Sequence, residues 1–245
     1  MDWREADGVR WLEAELPGAR AIFSTRLGGV SEDPYASLNL GILTGDERER
    51  VVANRRRLCE VTGIDPANVV IGRQVHGARV THHDGPQEPA SWPDPEADPP
   101  EVDGHLIDRS GLAALVFVAD CLPVALAGED GLAMLHCGWR GLAGGIVGAG
   151  AAAIGATAAA IGPGIGPCCY EVGDDVLAAF APLGTGAADG RMLDLKAAAR
   201  RLLERAGVTT VEDAGICTRC EHSTFFSHRG DGPTTGRQAG IVSAA

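Results

Sequence analysis

Lysine is almost missing from this chain. Of its 21 basic residues only Lys196 is lysine, and the rest are arginine. No Gly-Lys-Ser/Thr sequence occurs, which excludes a Walker-type phosphate loop. Lys196 lies in Leu193–Arg205, whose spacing predicts an amphipathic helix, a poor setting for a Schiff-base lysine. Phosphoryl-transfer ATPases and lysine-imine enzymes are therefore set aside. The chain also lacks a G-x-S-x-G nucleophile elbow and an H-E-x-x-H zinc helix. Gly162-Pro163-Gly164-Ile165-Gly166 does not have dinucleotide-loop spacing. Pro167-Cys168-Cys169 lacks the second spaced cysteine of cytidine-type zinc deaminases.

Positive charge is scarce overall: 21 Lys and Arg face 33 Asp and Glu, for a net charge of −12 and a pI near 5.0. Such a surface repels phosphate backbones and argues against nucleic-acid binding, although a few arginines in a cleft can reverse the local sign for a small anion. Seven cysteines, an odd number, do not form a disulfide framework in a chain this long. The opening Met1-Asp2-Trp3-Arg4-Glu5 lacks the apolar core of a signal peptide. Gly141–Tyr170 carries no charge, yet its glycines, Pro163 and Pro167 and sparse large aliphatics make it too weak for a membrane span. The expectation is a cytoplasmic protein with no membrane contact. At 245 residues, 45% hydrophobic and 22% charged, it has enough chain for a sizeable core.

Hydrophobic periodicity predicts strands at Arg20–Thr25, Leu112–Val118, Pro123–Ala127, Leu132–Cys137 and Thr157–Ile161. Val69–Thr81 reads as a strand turned at Gly77, and Thr209–Cys217 ends in a strand before a polar C-terminal loop. Helices are predicted over Glu47–Thr62, after Gly138-Trp139-Arg140-Gly141, over Asp174–Ala181 and over Leu193–Arg205. Asp84–Asp103 holds six prolines and seven acids with no Lys or Arg, and reads as a loop. The irregular alternation predicts a single α+β domain over residues 1–245, with no repeat.

Three polar residues stand in apolar surroundings: His76 after a strand, Cys121 closing one, and His136 near the end of another. Spacing alone leaves a zinc triad and separate core residues both open. Asp120 beside Cys121 puts a carboxylate and a thiol where a rigid strand meets a loop. Cys217-x-x-Cys220-x-His222 is a second cluster, readable as a zinc site, a redox pair or plain thiols, with Cys168-Cys169 as a source of a fourth ligand. Gly138-Trp139-Arg140-Gly141 reads either as an anion site at a helix start or as a turn allowing close packing. Arg26 and Arg229, both flanked by apolar sequence, are ion-pair partners or anion clamps.

A run of blocks then carries a resemblance. Phe23-Ser24-Thr25-Arg26-Leu27-Gly28-Gly29-Val30-Ser31, Ser37-Leu38-Asn39-Leu40-Gly41, Gln74-Val75-His76-Gly77 and Ala119-Asp120-Cys121-Leu122-Pro123 come first. His136-Cys137-Gly138-Trp139-Arg140-Gly141, Ile161-Gly162-Pro163, Cys169-Tyr170-Glu171-Val172-Gly173, Phe225-Phe226-Ser227 and Thr235-Gly236-Arg237 follow. In this order they resemble the YfiH-like family, also called the multicopper polyphenol oxidase (laccase-domain) family and peptidoglycan editing factor. The resemblance implies an α/β/β/α layered sandwich with mixed sheets, similar to that of the cytotoxic necrotizing factor cysteine hydrolases. It implies Zn2+ held by His76, Cys121 and His136, with a fourth position open as in catalytic zinc sites. It also implies zinc-dependent purine nucleoside chemistry: phosphorolysis of adenosine, inosine, guanosine or methylthioadenosine, and deamination of adenosine.

On that reading Arg26, Arg140 and Arg229 position phosphate or sugar, Asp120 orients a ligand or carries a proton, and Asn39 and Gln74 contact substrate. Copper is the disfavoured metal, because seven histidines with no H-x-H pair do not build multicopper centres. A lone copper with Met134 as axial ligand would transfer electrons without an oxygen site. An alternative function is a Cys/His hydrolase that edits UDP-sugar-peptide precursors of peptidoglycan. A metal-binding interaction protein is the non-enzymatic reading. The chain departs from the family at His228-Arg229-Gly230, where relatives commonly read Tyr-Arg-Arg, and at Cys137, where alanine is common. No oligomeric state follows from the sequence.

Overall fold

Residues 113–118, 122–128 and 132–137 are buried almost without interruption, the pattern of strands covered on both faces. The computed structural model describes residues 1–87, 92, 98–108 and 111–245. The chain opens with β1 (Asp2–Ala6), β2 (Val9–Leu16) and β3 (Ala19–Ser24). After a long loop come α1 (Arg48–Thr62), β4 (Val69–Val70), β5 (Val80–His83) and β6 (Gly104–Ile107). The centre is β7 (Ala113–Val118), β8 (Leu122–Gly128) and β9 (Leu132–Cys137), then α2 (Trp139–Ala143), α3 (Ile146–Ile154) and β10 (Ala156–Ile161). The last third holds α4 (Asp174–Phe180), the short pair β11 (Ala188–Asp189) and β12 (Met192–Leu193), and α5 (Leu195–Arg205). It closes with β13 (Thr210–Asp213), α6 (His228–Asp231) and β14 (Gln238–Ala244).

Two six-stranded mixed sheets result, ordered β1-β2-β3-β14-β7-β4 and β13-β10-β8-β9-β6-β5. Alternation along each strand sends successive side chains to opposite layers. Leu115 and Ile241 pack with Leu58 and Cys59 of α1. Val116 and Val242 meet Ala125 and Met134 between the sheets. Val124, Leu126 and Leu135 pack under Ile146, Val147 and Ala151 of α3 and Leu203 of α5. The order of layers is therefore α/β/β/α with mixed sheets, as the resemblance implied. No helix among the described residues is long and apolar enough to cross a membrane.

Three expectations are corrected. The C-terminal segment is not a polar loop: β14 runs antiparallel between β3 and β7 in the middle of its sheet. Its run Ala239-Gly240-Ile241-Val242 is short and follows polar sequence, but it is buried on both faces. Val69–Thr81 is not one strand; β4 and β5 belong to different sheets, and residues 71–79 cross between them. The Gly/Ala-rich helix is two, broken where Gly145 takes φ +89. Of the proline- and acid-rich loop expected at Asp84–Asp103, residues 88–91 and 93–97 lie outside the described residues. Trp92 within it is buried, stacks on Phe117 and donates its indole N–H to Cys59 Sγ (3.2 Å).

Candidate metal centre and active site

His76 lies on the crossing segment, Cys121 on the β7–β8 turn and His136 on β9. Although 45 and 15 residues separate them in the chain, their ligand atoms all lie within 4.8 Å of one another. Pro123 pairs with His136 across β8 and β9, which sets Cys121 diagonally opposite the histidine. The two imidazoles meet edge to face, with centroids 4.9 Å apart. Gly138 allows this approach: a Cβ there would sit 3.0 Å from Cys121 Sγ and 3.4 Å from His76 Cδ2.

Asp103 holds both histidines. Its Oδ1 accepts the His76 N–H (2.9 Å) and pairs with His136 Nδ1 (2.8 Å). Its Oδ2 accepts the N–H groups of Val75 (3.2 Å) and Gly77 (2.7 Å). These bonds hold His76 at φ +61, a left-handed conformation that costs a β-carbon residue of the order of 1 kcal/mol. An ionised carboxylate only accepts, so the Nδ1 of His136 carries a proton toward Asp103, and the other ring nitrogen faces Cys121. Burial pushes the Asp103 carboxyl up, but the His136 bond and the N–H fan outweigh it and hold the group below its ordinary value. Burial likewise opposes ionisation of Cys121, yet His136 and His76 hold its thiol down at about 6. Burial pulls His136 down, while the Cys121 thiolate and Asp103 raise it to about 9. A thiolate, an imidazole pre-oriented by a carboxylate, and a second imidazole make a donor set that fits a divalent transition metal.

A cleft of about 370 Å³ is lined by Trp139, Tyr170, Glu171, Gly173, Arg191 and Arg229, among others; none of the triad residues lines it, and Tyr170 is the lining residue that feels the charge of Cys121. Arg140 lies over the Trp139 ring at 4.5 Å and Arg229 over Tyr170 at 5.2 Å. Burial, then the negative charge of Cys121, pushes the Tyr170 hydroxyl up to about 12. Asp120, at φ +88, uses both oxygens on its surroundings: Oδ1 accepts from Thr218 Oγ1 (2.6 Å) and Oδ2 from the Arg229 N–H (2.7 Å). It thereby ties the turn bearing Cys121 to the loop of Thr218 and to the start of α6.

Other residues singled out from sequence sit in the frame around the centre. Arg26 donates to the carbonyls of Ala36 (2.8 Å) and His222 (2.9 Å), faces Asp231 at 3.5 Å, and covers the Phe226 ring. Asn39, expected to contact substrate, is fully buried. It bonds Gly41, Thr44, Asp46 and the Arg237 N–H, and so shapes the loop that follows it. Gln74 pairs both ends of its amide with the Phe117 backbone (2.7 and 2.8 Å), pinning the His76 segment to β7. Gly141 serves close packing, since a Cβ there would lie 2.8 Å from Gly77 O.

A family model described as multi-copper polyphenol oxidoreductase laccase matches residues 20–245. The chain belongs to that family. A relative named purine nucleoside phosphorylase YlmD, of Geobacillus stearothermophilus, is 39% identical over 98% of this chain and 95% of its own. One named purine nucleoside phosphorylase SCO2081, of Streptomyces coelicolor, is 40% identical over 92% and 95%. The crystal structure of the Geobacillus protein superposes with a TM-score of 0.87 at 36% identity, over 98% of this chain and 97% of that one. The Bacillus licheniformis hypothetical protein YfiH gives 0.89 at 29% identity, over 99% of each.

Alternation along β9 turns Cys137 into the core under the helices, on the opposite face of the strand from His136. Met134 packs between the sheets, with its methyl against Gly240. Asp103 was missed as a site residue because it closes the acidic, proline-rich stretch and looks there like one more solvated carboxylate. Arg237, half-buried and within electrostatic reach of Cys121 and Asp120, was also missed. Its place in the Thr235-Gly236-Arg237 block was the available signal.

Proposed function

We propose that this chain is a zinc-dependent purine nucleoside phosphorylase acting on adenosine, inosine, guanosine and methylthioadenosine, with adenosine deaminase activity at the same centre. The observation that carries the reading is a three-ligand Cys/His centre together with a cleft lined by Trp139, Tyr170, Arg191 and Arg229, in which Arg229 lies over the Tyr170 ring. Relatives at 39% and 40% identity bearing the phosphorylase name give it further support. His76, Cys121 and His136 would hold the zinc. When bound, zinc supplies Lewis acidity and lowers the pKa of a bound water to about 7.

This chain's own residues do the positioning. Arg140 and Arg229 hold the phosphate dianion, and Trp139 and Tyr170 offer flat faces to the purine. Phosphate oxygen attacks the sugar C1′ as the bond to the purine nitrogen breaks. The electron pair leaves with the base, which takes up a proton, so the products are free base and ribose 1-phosphate. Asp120 keeps Thr218 and the Arg229 backbone in register with Cys121, and Asp103 fixes both imidazoles. Arg26, Asn39 and Gln74 brace the loops around the pocket. In deamination a water oxygen replaces the C6 amino group and ammonia leaves.

The test is to give the purified protein adenosine with and without phosphate and to identify products by mass. Adenine and ribose 1-phosphate formed only with phosphate support the phosphorylase, and inosine formed without it supports the deaminase. Adenosine left intact by folded, zinc-loaded protein contradicts both. A second reading is favoured by one arrangement: Cys121, His136 and Asp103 also form a nucleophile, base and orienter. That is the constellation a hydrolase of UDP-sugar-peptides requires. Zinc on the thiolate blocks such a hydrolase and activates the phosphorylase, so the response to a chelator separates them.

A further inference from the structure

A second group of ligand atoms lies outside this centre. The Sγ atoms of Cys168, Cys169, Cys217 and Cys220 all fall within 4.8 Å of one another, and the four are free thiols. They come from two loops that leave the ends of β10 and β13, which are parallel neighbours in the second sheet. A bridge between Gly164 and Cys217 continues that pairing, with the Thr218 N–H donating to Gly164 O (3.2 Å). His222, grouped with Cys217 and Cys220 on sequence spacing, is not part of the cluster; its place is taken by the adjacent pair Cys168-Cys169.

We infer that Cys168, Cys169, Cys217 and Cys220 form a tetrathiolate site for a structural zinc ion, distinct from the His76, Cys121 and His136 centre. Three observations carry this. The first is spacing. Cys220 Sγ lies 3.5 Å from Cys168 Sγ and 3.6 Å from Cys169 Sγ. A tetrahedron with zinc–sulfur bonds of about 2.3 Å has sulfur–sulfur edges of about 3.8 Å, whereas a disulfide is about 2.05 Å. The second is the cradle: Cys217 Sγ accepts the Gly166 N–H at 3.2 Å and also faces the Cys220 N–H. Such N–H bonds are the outer support that metal-bound thiolates require. Gly166 makes room for it, since a Cβ there would lie 3.1 Å from Cys217 Cβ and 3.3 Å from Cys168 Sγ. The third is charge. Four thiolates around a dication leave a net −2, and the only lysine of the chain is buried beneath them. Lys196 donates to Gly164 O (2.8 Å), and the negative groups that act on it are Asp213 first, then Cys217, Asp194 and Cys168.

Binding converts four thiols to thiolates and releases four protons to solvent, with no change of oxidation state. The metal clamps two loops that border the other centre. Tyr170 follows Cys169 directly, and Thr218, which holds Asp120, follows Cys217.

The test uses the full chain, reduced, loaded with Zn2+ and freed of loose metal. In the Cys121→Ala variant, which removes the thiolate of the other centre, one zinc per chain is expected to remain. Adding Cys217→Ser to that variant is expected to remove it. In the unmutated chain, zinc is expected to slow alkylation of the four cysteines together by about tenfold or more, with protection lost on chelation. Co2+ in place of zinc should give the intense ligand-field bands of a tetrahedral thiolate in Cys121→Ala. A Cys121→Ala protein that is folded yet binds no zinc overturns the inference. So does alkylation of these four cysteines at equal rates with and without zinc in the unmutated chain.

Discussion

Replacing Asp103 by asparagine is a nearly isosteric change with a large expected effect. The carboxylate is fully buried and accepts four hydrogen bonds, two on each oxygen. Asparagine keeps one acceptor and turns the other into a donor. Set one way, its NH2 faces Val75 and Gly77 N–H; set the other, it faces His76 N–H and the Nδ1 proton of His136. Either orientation leaves two donors without an acceptor, each worth about 1–3 kcal/mol when buried. The second also favours the His136 tautomer with its proton on Nε2, which cannot bind a metal. Loss of such an outer carboxylate lowers metal affinity about 10–100-fold. The assay is competition with a chromophoric chelator, read beside a thermal melt. Asp103→Asn should lose metal at a chelator concentration the unmutated chain withstands, and should melt earlier. Metal affinity within about twofold of the unmutated chain, with an unchanged melt, refutes the role given to Asp103.

Cys121→Ala should lose the metal of this centre and the nucleoside activity together, and full activity in that variant refutes the triad. Gly138→Ala should keep the fold but weaken metal binding, because its Cβ would press on Cys121 Sγ and His76; unchanged binding by calorimetry contradicts the close approach. Burial, with His83 adjacent, pushes His105 down to about 3, so it stays neutral in the fold while an unfolded histidine takes a proton below about 6.5. Stability is therefore lost as pH falls through that value, by about 1.4 kcal/mol at pH 5.5. Urea denaturation at pH 7.5 and 5.5 should show this loss shrinking in His105→Asn.

Much of the fold is legible in the sequence because strands covered on both faces read as unbroken apolar runs, as Leu112–Val118 and Leu132–Cys137 do. β14 is not, since small residues in a polar tail become a central strand only through pairing with β3 and β7. β4 and β5 fail for the opposite reason: a β-branched stretch suggests one strand, and nothing local says that the chain changes sheet between them. His76, Cys121 and His136 stand out as polar groups in apolar runs, but their meeting is a property of strand register. Asp103 is hidden by its neighbours, and the motif residues Arg26 and Asn39 make hydrogen bonds to the loops around them that no local pattern announces. Some of these partners lie near the C-terminus, 196 to 205 residues further along the chain.

The central claim is phosphorolysis at the His76, Cys121 and His136 centre. Phosphorus NMR of adenosine and inorganic phosphate with the zinc-loaded chain tests it most directly, with His76→Ala run in parallel. A ribose 1-phosphate signal growing in step with free adenine, and missing in the folded variant, is the predicted result. Free ribose in its place, or equal sugar phosphate from His76→Ala, would contradict the account.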